Sequence, residues 1–434
     1  MPDQSRIVRL NNRRLRERIQ ELGLKQWAVA RQTGVARRTV IRWINGEVSR
    51  ITTDNLQNLA RVVSLSPAEL STELPLDQAA STEEQQQAVT SMLSQSMGEM
   101  FLRSENYSAY EQMLNALRHP GISMQQLASI YLHMMAAAAM QHEFARAREH
   151  GRQCIACAER CQHRKMEFTA RINLAIIHSE TGLVSLMHDE LETLMAMMES
   201  QNHKDNFGAL HLNLARACRL MAEPARATRF AIDAMQHYGA SRDHMTYVES
   251  LVLVAIICMD LGAVELALEY LALAQRRAER ENLAVWHPPV RLRQMEAESG
   301  LGTELSAAEV LAVLERYDEI VYVPIDCYHA AVRALHQSGQ APLAVQVIDR
   351  GLGRQWIRPQ EKAMLHLELA IIRHRAGNVE LFAQPARLAA EIFGNCGMHT
   401  RADSALRFAE TGEEPRSRSN EGLLGMLREA LPQA

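Results

Sequence analysis

Eight short breaks interrupt an otherwise helical pattern from residue 106 onward. They fall near Asn106, His142, Gly182, Ala222, Gly262, Gly300, Gly339 and Gly377, at intervals of 36 to 40 residues. The segments before successive breaks align: NLAII at 173–177, NLARA at 213–217 and LVAII at 253–257. Asn173 and Asn213 keep the 40-residue interval, as do Ala175, Ala215 and Ala255. Alanine-rich stretches follow the breaks, such as PARATRFAIDAM (224–235) and VELALEYLALA (264–274). Small residues at such positions let paired helices pack closely. A helical hairpin of this length cannot bury its apolar face alone, so neighbours must stack into one continuous core. The expected fold class is all-α, an α-solenoid of hairpins of about 38–40 residues over 83–410.

The chain has 434 residues, too many for one ordinary core, and its net charge of −4 hides an asymmetry. Residues 1–70 hold 13 Lys/Arg and 6 Asp/Glu, a net of +7, while the remainder carries −11. A small basic module on a large acidic body points to a nucleic-acid-binding head. No uninterrupted apolar run of about 18 residues appears, so no membrane-spanning helix is expected. The N-terminal MPDQSRIVRLNNRR lacks the apolar stretch of a secretory signal. Seven scattered cysteines suit reduced thiols in a cytoplasm better than a disulfide framework.

Within the head, five short helices are expected. Residues 11–22 place Leu15, Ile19 and Leu22 on one face, and Gly23 ends that helix. Residues 26–33 form the second helix, Gly34 supplies a tight turn, and Val35 points to the core. Residues 36–44 form the third, with Val40 and Trp43 inward and Arg37, Arg38 and Arg42 on the other side. Asn45-Gly46 is a turn dipeptide. Residues 53–63 follow, with Thr52 as N-cap and Leu56, Leu59 and Val63 inward. Ser66-Pro67 starts the fifth.

This pattern resembles the lambda-repressor/Cro-type (XRE) helix-turn-helix domain over about residues 9–70. The resemblance rests on Gln26, Ala30, Gly34-Val35, Val40, Asn45-Gly46 and TTDNLQNLARVV. It implies double-stranded DNA as partner, with the base-reading positions at Arg37, Arg38 and Arg42. Arginine donates two hydrogen bonds to guanine O6 and N7, so a G-containing half-site follows. Gln26 and Asn45 match positions that touch phosphates, and Thr39 suits either role. The sequence departs from the family at Lys25 and Ala36, where Ser or Thr caps are common, and at Trp27, where a polar residue is usual. The bland alternative for each arginine is a solvated surface charge.

The array resembles a tetratricopeptide array with longer helices, since its period exceeds 34 residues. A Cro-type head followed by such an array resembles the RRNPP-type peptide-sensing regulators. That resemblance implies a cytoplasmic, nucleoid-associated homodimer with a short peptide or a protein partner in the groove. Asn173 and Asn213 match the groove-lining asparagines, with Arg171, Arg216 and Tyr247 as neighbours; the alternative is that both asparagines bond within the stack. A scaffold tethered to DNA is the other reading of the architecture.

Residues 71–82 read as a linker, and Ser81-x-x-Glu84 as a capping box. Residues 411–420 read as a loop, and EGLLGMLREAL (421–431) as an amphipathic helix that either caps the array or docks on a partner subunit. The 22 methionines, Met195, Met197 and Met198 among them, are expected mostly in the core. His150, Cys154, Cys157 and Cys161 share one helical face, but a single straight helix brings only two such residues close. Buried small residues are therefore expected there rather than a zinc site. No phosphate loop, HExxH or nucleophile elbow appears, so neither an enzyme nor a cofactor is expected.

Overall fold

The computed structural model describes residues 7–65, 67–71, 93, 106–118, 122–320, 326–415 and 420–432. The linker over 72–82, the capping box at Ser81 and Glu84, Ser66 and most of 83–105 lie outside these residues. The chain divides into two compact units, Met1–Ser91 and Met92–Ala434. Among the described residues no helix is long and apolar enough to cross a membrane.

Among the described residues the first unit holds five helices: α1 (Asn12–Glu21), α2 (Gln26–Thr33), α3 (Arg37–Asn45), α4 (Thr53–Val62) and α5 (Pro67–Leu70). Leu15, Val29, Val40, Trp43, Leu59, Val63 and Leu70 form its core. Two features differ from the expectation. Leu22 is 40% exposed, because the helix stops at Glu21 and the chain reverses at Gly23, leaving Leu24 to pack inward instead. Two strands, β1 (Ile7–Arg9) and β2 (Arg50–Thr52), pair antiparallel. Three-residue strands are too short for a period-2 pattern to announce them. They bring Leu10 into the core and tie the start of the head to the entry of α4.

The second unit is an α-solenoid. Its described helices are α6 (Tyr107–Ala116), α7 (Met124–Met140), α8 (Phe144–Arg160), α9 (Arg164–Glu180), α10 (Val184–Ser200), α11 (Phe207–Leu220), α12 (Pro224–Gly239) and α13 (His244–Asp260). There follow α14 (Val264–Arg280), α15 (His287–Gly300), α16 (Ala307–Asp318), α17 (Cys327–Gln337), α18 (Ala341–Leu352), α19 (Pro359–Arg375), α20 (Val379–Asn395), α21 (His399–Thr411) and α22 (Glu421–Glu429). Many of these helices have 17 residues, as in α7 to α10, and three-residue turns separate them. That arithmetic explains the 40-residue period, which is really two steps of 20. Ala175, Ala215 and Ala255 are fully buried where hairpins stack. Met198 is buried too, while Met195 and Met197 are half-buried against the same cluster.

The turns share one conformation. His142, Gly182, Ala222, Gly262, Gly339 and Gly377 all have positive φ. So do Gln162, Asn202 and Asn282, which reverse the chain between hairpins without a glycine to mark the place. The break expected at Gly300 is set two residues later, at Gly302, because Gly300 still belongs to α15. An L-residue in the left-handed region is strained by roughly 1–2 kcal/mol. Ala222, at φ +63° and exposed, carries that cost. Ala222→Gly should raise the stability of the array by up to about 1 kcal/mol, read as a higher urea midpoint at unchanged m. A lower midpoint would mean the alanine is not strained.

The array also closes on itself. Trp356 stacks on His142 with ring centroids 4.9 Å apart. Gln360 Nε2 donates to the main-chain oxygen and Oγ of Ser179, each at 3.2 Å. The Ser185 amide donates to the Cys396 carbonyl, and Arg401 donates to the Arg219 and Leu220 carbonyls at the end of α11. The Gln360 and Arg401 partners lie 181 or 182 residues away along the chain, so α19 to α21 return onto α9 to α11. The C-terminal helix α22 neither caps the end of the array nor stands free. Leu423, Leu424 and Leu427 join the core around α12 to α14, and Tyr270 Oη donates to the Leu427 carbonyl at 2.6 Å.

Candidate functional site

The basic face of the head is built by apolar anchoring from behind. Val40, Trp43 and Ile44, spaced three and four residues apart, bury one side of α3. Arg37, Arg38 and Arg42 are thereby left exposed on the other. Gly34, at φ +75°, is the left-handed end of α2 and turns the chain toward α3; the Val35 amide reaches back to the Ala30 carbonyl. Ala30 itself is 6% exposed and belongs to the core of the head. Neither Lys25 nor Ala36 supplies a side-chain cap, whereas Thr52 does for α4. Gln26 and Thr39 are half-buried; Asn45 is exposed. Trp27 is 55% exposed.

Two residues outside the sequence expectation hold the far end of α3. Asn12 Nδ2 donates to the carbonyls of Trp43 and Val48, at 2.5 and 2.9 Å. Arg16 grips the Ile44 carbonyl through Nε and Nη2, at 3.0 and 2.7 Å. The last carbonyls of a helix lack intrahelical partners, so cationic donors there are well matched. Their i, i+4 spacing on α1 is the one signal that could have marked them. Glu47 engages the same region from the front. Its carboxylate accepts from Asn45 Nδ2 at 3.3 Å and lies 3.9 Å from Arg42 Nε.

Inside the array, a cavity of about 90 Å³ opens between α9–α11, α13 and the returning start of α19. Asn213 and Arg216 line it. Both are engaged: Asn213 bonds within its own helix to Ala209 and Arg216, and Arg216 pairs with Glu249. The other groove candidates sit elsewhere. Arg171 pairs with Glu159 and Glu167, Asn173 is half-buried off the cavity wall, and Tyr247 carries Arg277 over its ring at 5.4 Å. The five candidates therefore do not form one cluster.

An ion-pair ladder that the sequence reading missed runs along the inner helices. Arg219 meets Asp260 at 2.6 Å, and Arg293 meets Glu296 at 2.6 Å. Arg333 meets Glu296 at 2.9 Å, and His329 meets Glu368 at 3.0 Å. Burial by itself would raise the Glu296 carboxyl, but Arg293 and Arg333 outweigh it and hold the group below the ordinary range. Charged residues recurring near the repeat interval on otherwise apolar helices were the available signal.

The cysteines follow burial. Burial pushes the Cys154 thiol up to about 12 and raises Cys157 as well. His150 turns away to Glu111 at 3.3 Å, so the four residues do not converge. Among the described residues one His/Cys/acid grouping is close, His188, Glu192 and Cys218. Arg226 pairs with Glu192 there, which places a cation where a metal would sit. All seven cysteines are unpaired.

Residues 15–70 match the helix-turn-helix family model. The head is a helix-turn-helix domain. No curated protein matches the chain. Among solved structures, a Rap protein complexed with competence and sporulation factor is 10% identical, with 96% of this chain and 99% of that one covered at a TM-score of 0.41. PlcR of Bacillus thuringiensis, in complex with the peptide PapR7 and DNA, is 14% identical over 78% of this chain and 98% of that one, at 0.28. A circular tandem repeat protein is 12% identical over 96% and 97%, at 0.20.

Within the helix-turn-helix domain, Glu47 places a negative charge beside Arg42 and Asn45. Exposed pairs of this kind are worth about 0.2–1 kcal/mol. Glu47→Gln should therefore tighten DNA binding about 1.5- to 5-fold, more at low salt than at high. Titration of a labelled duplex at several salt concentrations checks it; equal or weaker binding throughout would place Glu47 away from the DNA.

Proposed function

We propose that this chain is a sequence-specific DNA-binding transcriptional regulator whose helical array dimerises and senses a ligand, a short peptide. The observation that carries the DNA half is α3, which is anchored by Val40, Trp43 and Ile44 and presents three exposed arginines on its free face. Arg37, Arg38 and Arg42 read bases, while Gln26 and Asn45 contact phosphate and Thr39 assists. Support for ligand sensing comes from the cavity behind Asn213 and Arg216, on the wall where α19 returns to α9. Its size admits one end or one side chain of a peptide, with the rest lying along the inner helices.

A dimer reads two half-sites only if its recognition helices sit about 34 Å apart, one helical turn. A ligand that binds two conformations of the array differently shifts that spacing; one that binds them equally shifts nothing. The test is DNA affinity with and without peptide fractions from the source cells. A change confined to particular fractions supports sensing, and constant affinity across all of them removes it. A small, discrete set of genomic sites supports the regulator; diffuse occupancy with a stable co-purifying protein supports a scaffold instead.

A further inference from the structure

The array cavity is lined by four carboxylates, Glu180, Glu249, Asp326 and Glu361, and four arginines, Arg216, Arg219, Arg293 and Arg358. Glu249 is met by Arg216, and Arg219 by Asp260. Glu180 and Glu361 share a single guanidinium, that of Arg358. Asp326 has no ion-pair partner among the described residues; its Oδ1 accepts the His329 amide at 3.0 Å as the N-cap of α17. Asp326 is thus the one wall carboxylate without an ion pair among the described residues, on a space of about 90 Å³.

Three buried polar atoms on the same wall lack hydrogen-bond partners among the described residues: Asp326 Oδ2, Gln360 Oε1 and Arg293 Nε. Gln360 is 3% exposed and Arg293 2%. The orientation of the Gln360 amide is set independently, because the Ser179 main-chain oxygen requires a donor and so takes Nε2. Its Oε1 is left as an acceptor. Arg293 sits beside Asp326, with Nη2 donating to the Asp326 main-chain carbonyl. Orphaned buried polar groups are costly and call for a partner. Here two acceptors and one donor await one.

We propose that this cavity binds a primary ammonium group with a carbonyl next to it. The ammonium donates to Asp326 Oδ2 and Gln360 Oε1, and its charge answers the Asp326 carboxylate, which has no ion-pair partner among the described residues. The carbonyl accepts from Arg293 Nε. A quaternary amine lacks the donors, and a carboxylate would offer none to Asp326 Oδ2 and Gln360 Oε1. Burial holds the Glu361 carboxyl above its ordinary range, with Asp326 and Glu180 adding to the effect against the opposing pull of Arg358. A bound cation relieves that tension. Both a peptide N-terminus and a small free amine carry this chemistry. The site deepens the ligand-sensing reading by naming the group the array would hold, and so rests on it for its role in regulation.

Calorimetric titration of the full chain tests binding directly, with glycinamide as probe, acetamide as the control lacking the ammonium and methylammonium as the control lacking the carbonyl. Glycinamide should bind saturably in the millimolar range, methylammonium more weakly, and acetamide not at all. Asp326→Asn keeps the N-cap acceptor and Gln360→Met keeps the helix packing; each should weaken glycinamide at least about tenfold. Circular dichroism confirms that both variants fold. Equal binding of acetamide, equal binding by both variants, or no saturable glycinamide binding overturns the proposal. If triglycine amide also binds, the source is a peptide N-terminus; if it is excluded, a small amine. DNA affinity measured alongside separates the two levels. Glycinamide binding with DNA affinity unmoved by any peptide fraction leaves the site and removes the sensing role, and the reverse result removes the site alone.

Discussion

Arg37→Ala should lower affinity for the preferred DNA site about 5- to 150-fold while leaving non-specific binding nearly intact. A bidentate arginine–guanine pair contributes about 1–3 kcal/mol of discrimination, which converts to that range. The substitution is structurally mild. Arg37 is exposed at the first position of α3, has no ion-pair partner among the described residues, and alanine is at least as good a helix former. Any loss is thus a loss of contact, not of fold. The diagnostic measurement is a genome-wide footprint of the variant beside the wild type, with binding titrated against salt. Base reading predicts relaxed preference at one position of the site and an unchanged salt slope. A phosphate contact predicts uniform weakening and a slope smaller by about 1. Identical footprints and affinities would mean that α3 is not the reading helix. Arg38→Ala and Arg42→Ala extend the same test, with Arg42 the smaller effect because Glu47 already holds part of its charge.

Glu296→Gln should destabilise the array by about 3–5 kcal/mol, the cost of breaking a buried pair by removing one partner. Glu296 and Arg293 are each only 3% exposed at the side chain, and Arg333 shares the same carboxylate. Neutralising Glu296 leaves the buried Arg293 guanidinium and the partly exposed Arg333 guanidinium around one amide. Urea unfolding followed in the far ultraviolet measures this as a fall in midpoint, and a change below about 1 kcal/mol would show that the site rehydrates. The triple replacement Arg293→Met, Glu296→Leu, Arg333→Met should recover part of the loss, since an apolar set of similar volume avoids the desolvation penalty altogether. The pH dependence has a definite sign. The Glu296, Glu368 and Asp260 carboxyls are all held below their ordinary values, against burial, by facing arginines or histidine. Their contribution is complete above the unfolded carboxylate range and is lost as pH falls through the lowered folded values. Wild type should therefore lose stability more steeply than Glu296→Gln at acid pH.

Much of the basic face of the head was legible in the residue order because its determinants are local. The spacing of Val40, Trp43 and Ile44 sets which side of α3 is buried, and hence which side carries the arginines, before any tertiary contact is known. Leu22 is different: one residue of early helix termination moved it from the core face to 40% exposure. The supports of Asn12 and Arg16 were not legible, since they reach about 30 residues along the chain to carbonyls that every sequence contains.

In the array the same division holds on a larger scale. Helix length, three-residue turns and buried alanines are properties of each hairpin, and their repetition every 40 residues made the solenoid readable from the chain alone. Curvature is different. It is the sum of small rotations at every hairpin interface, and no single residue encodes it. Only the tertiary structure decided that α19 to α21 would return onto α9 to α11, that α22 would fold back on Tyr270, and that Asn213 and Arg216 would share a wall with Asp326 and Gln360 while Arg171, Asn173 and Tyr247 would not. The periodicity determined that the chain would stack; the accumulated twist of the stack determined which distant side chains would meet.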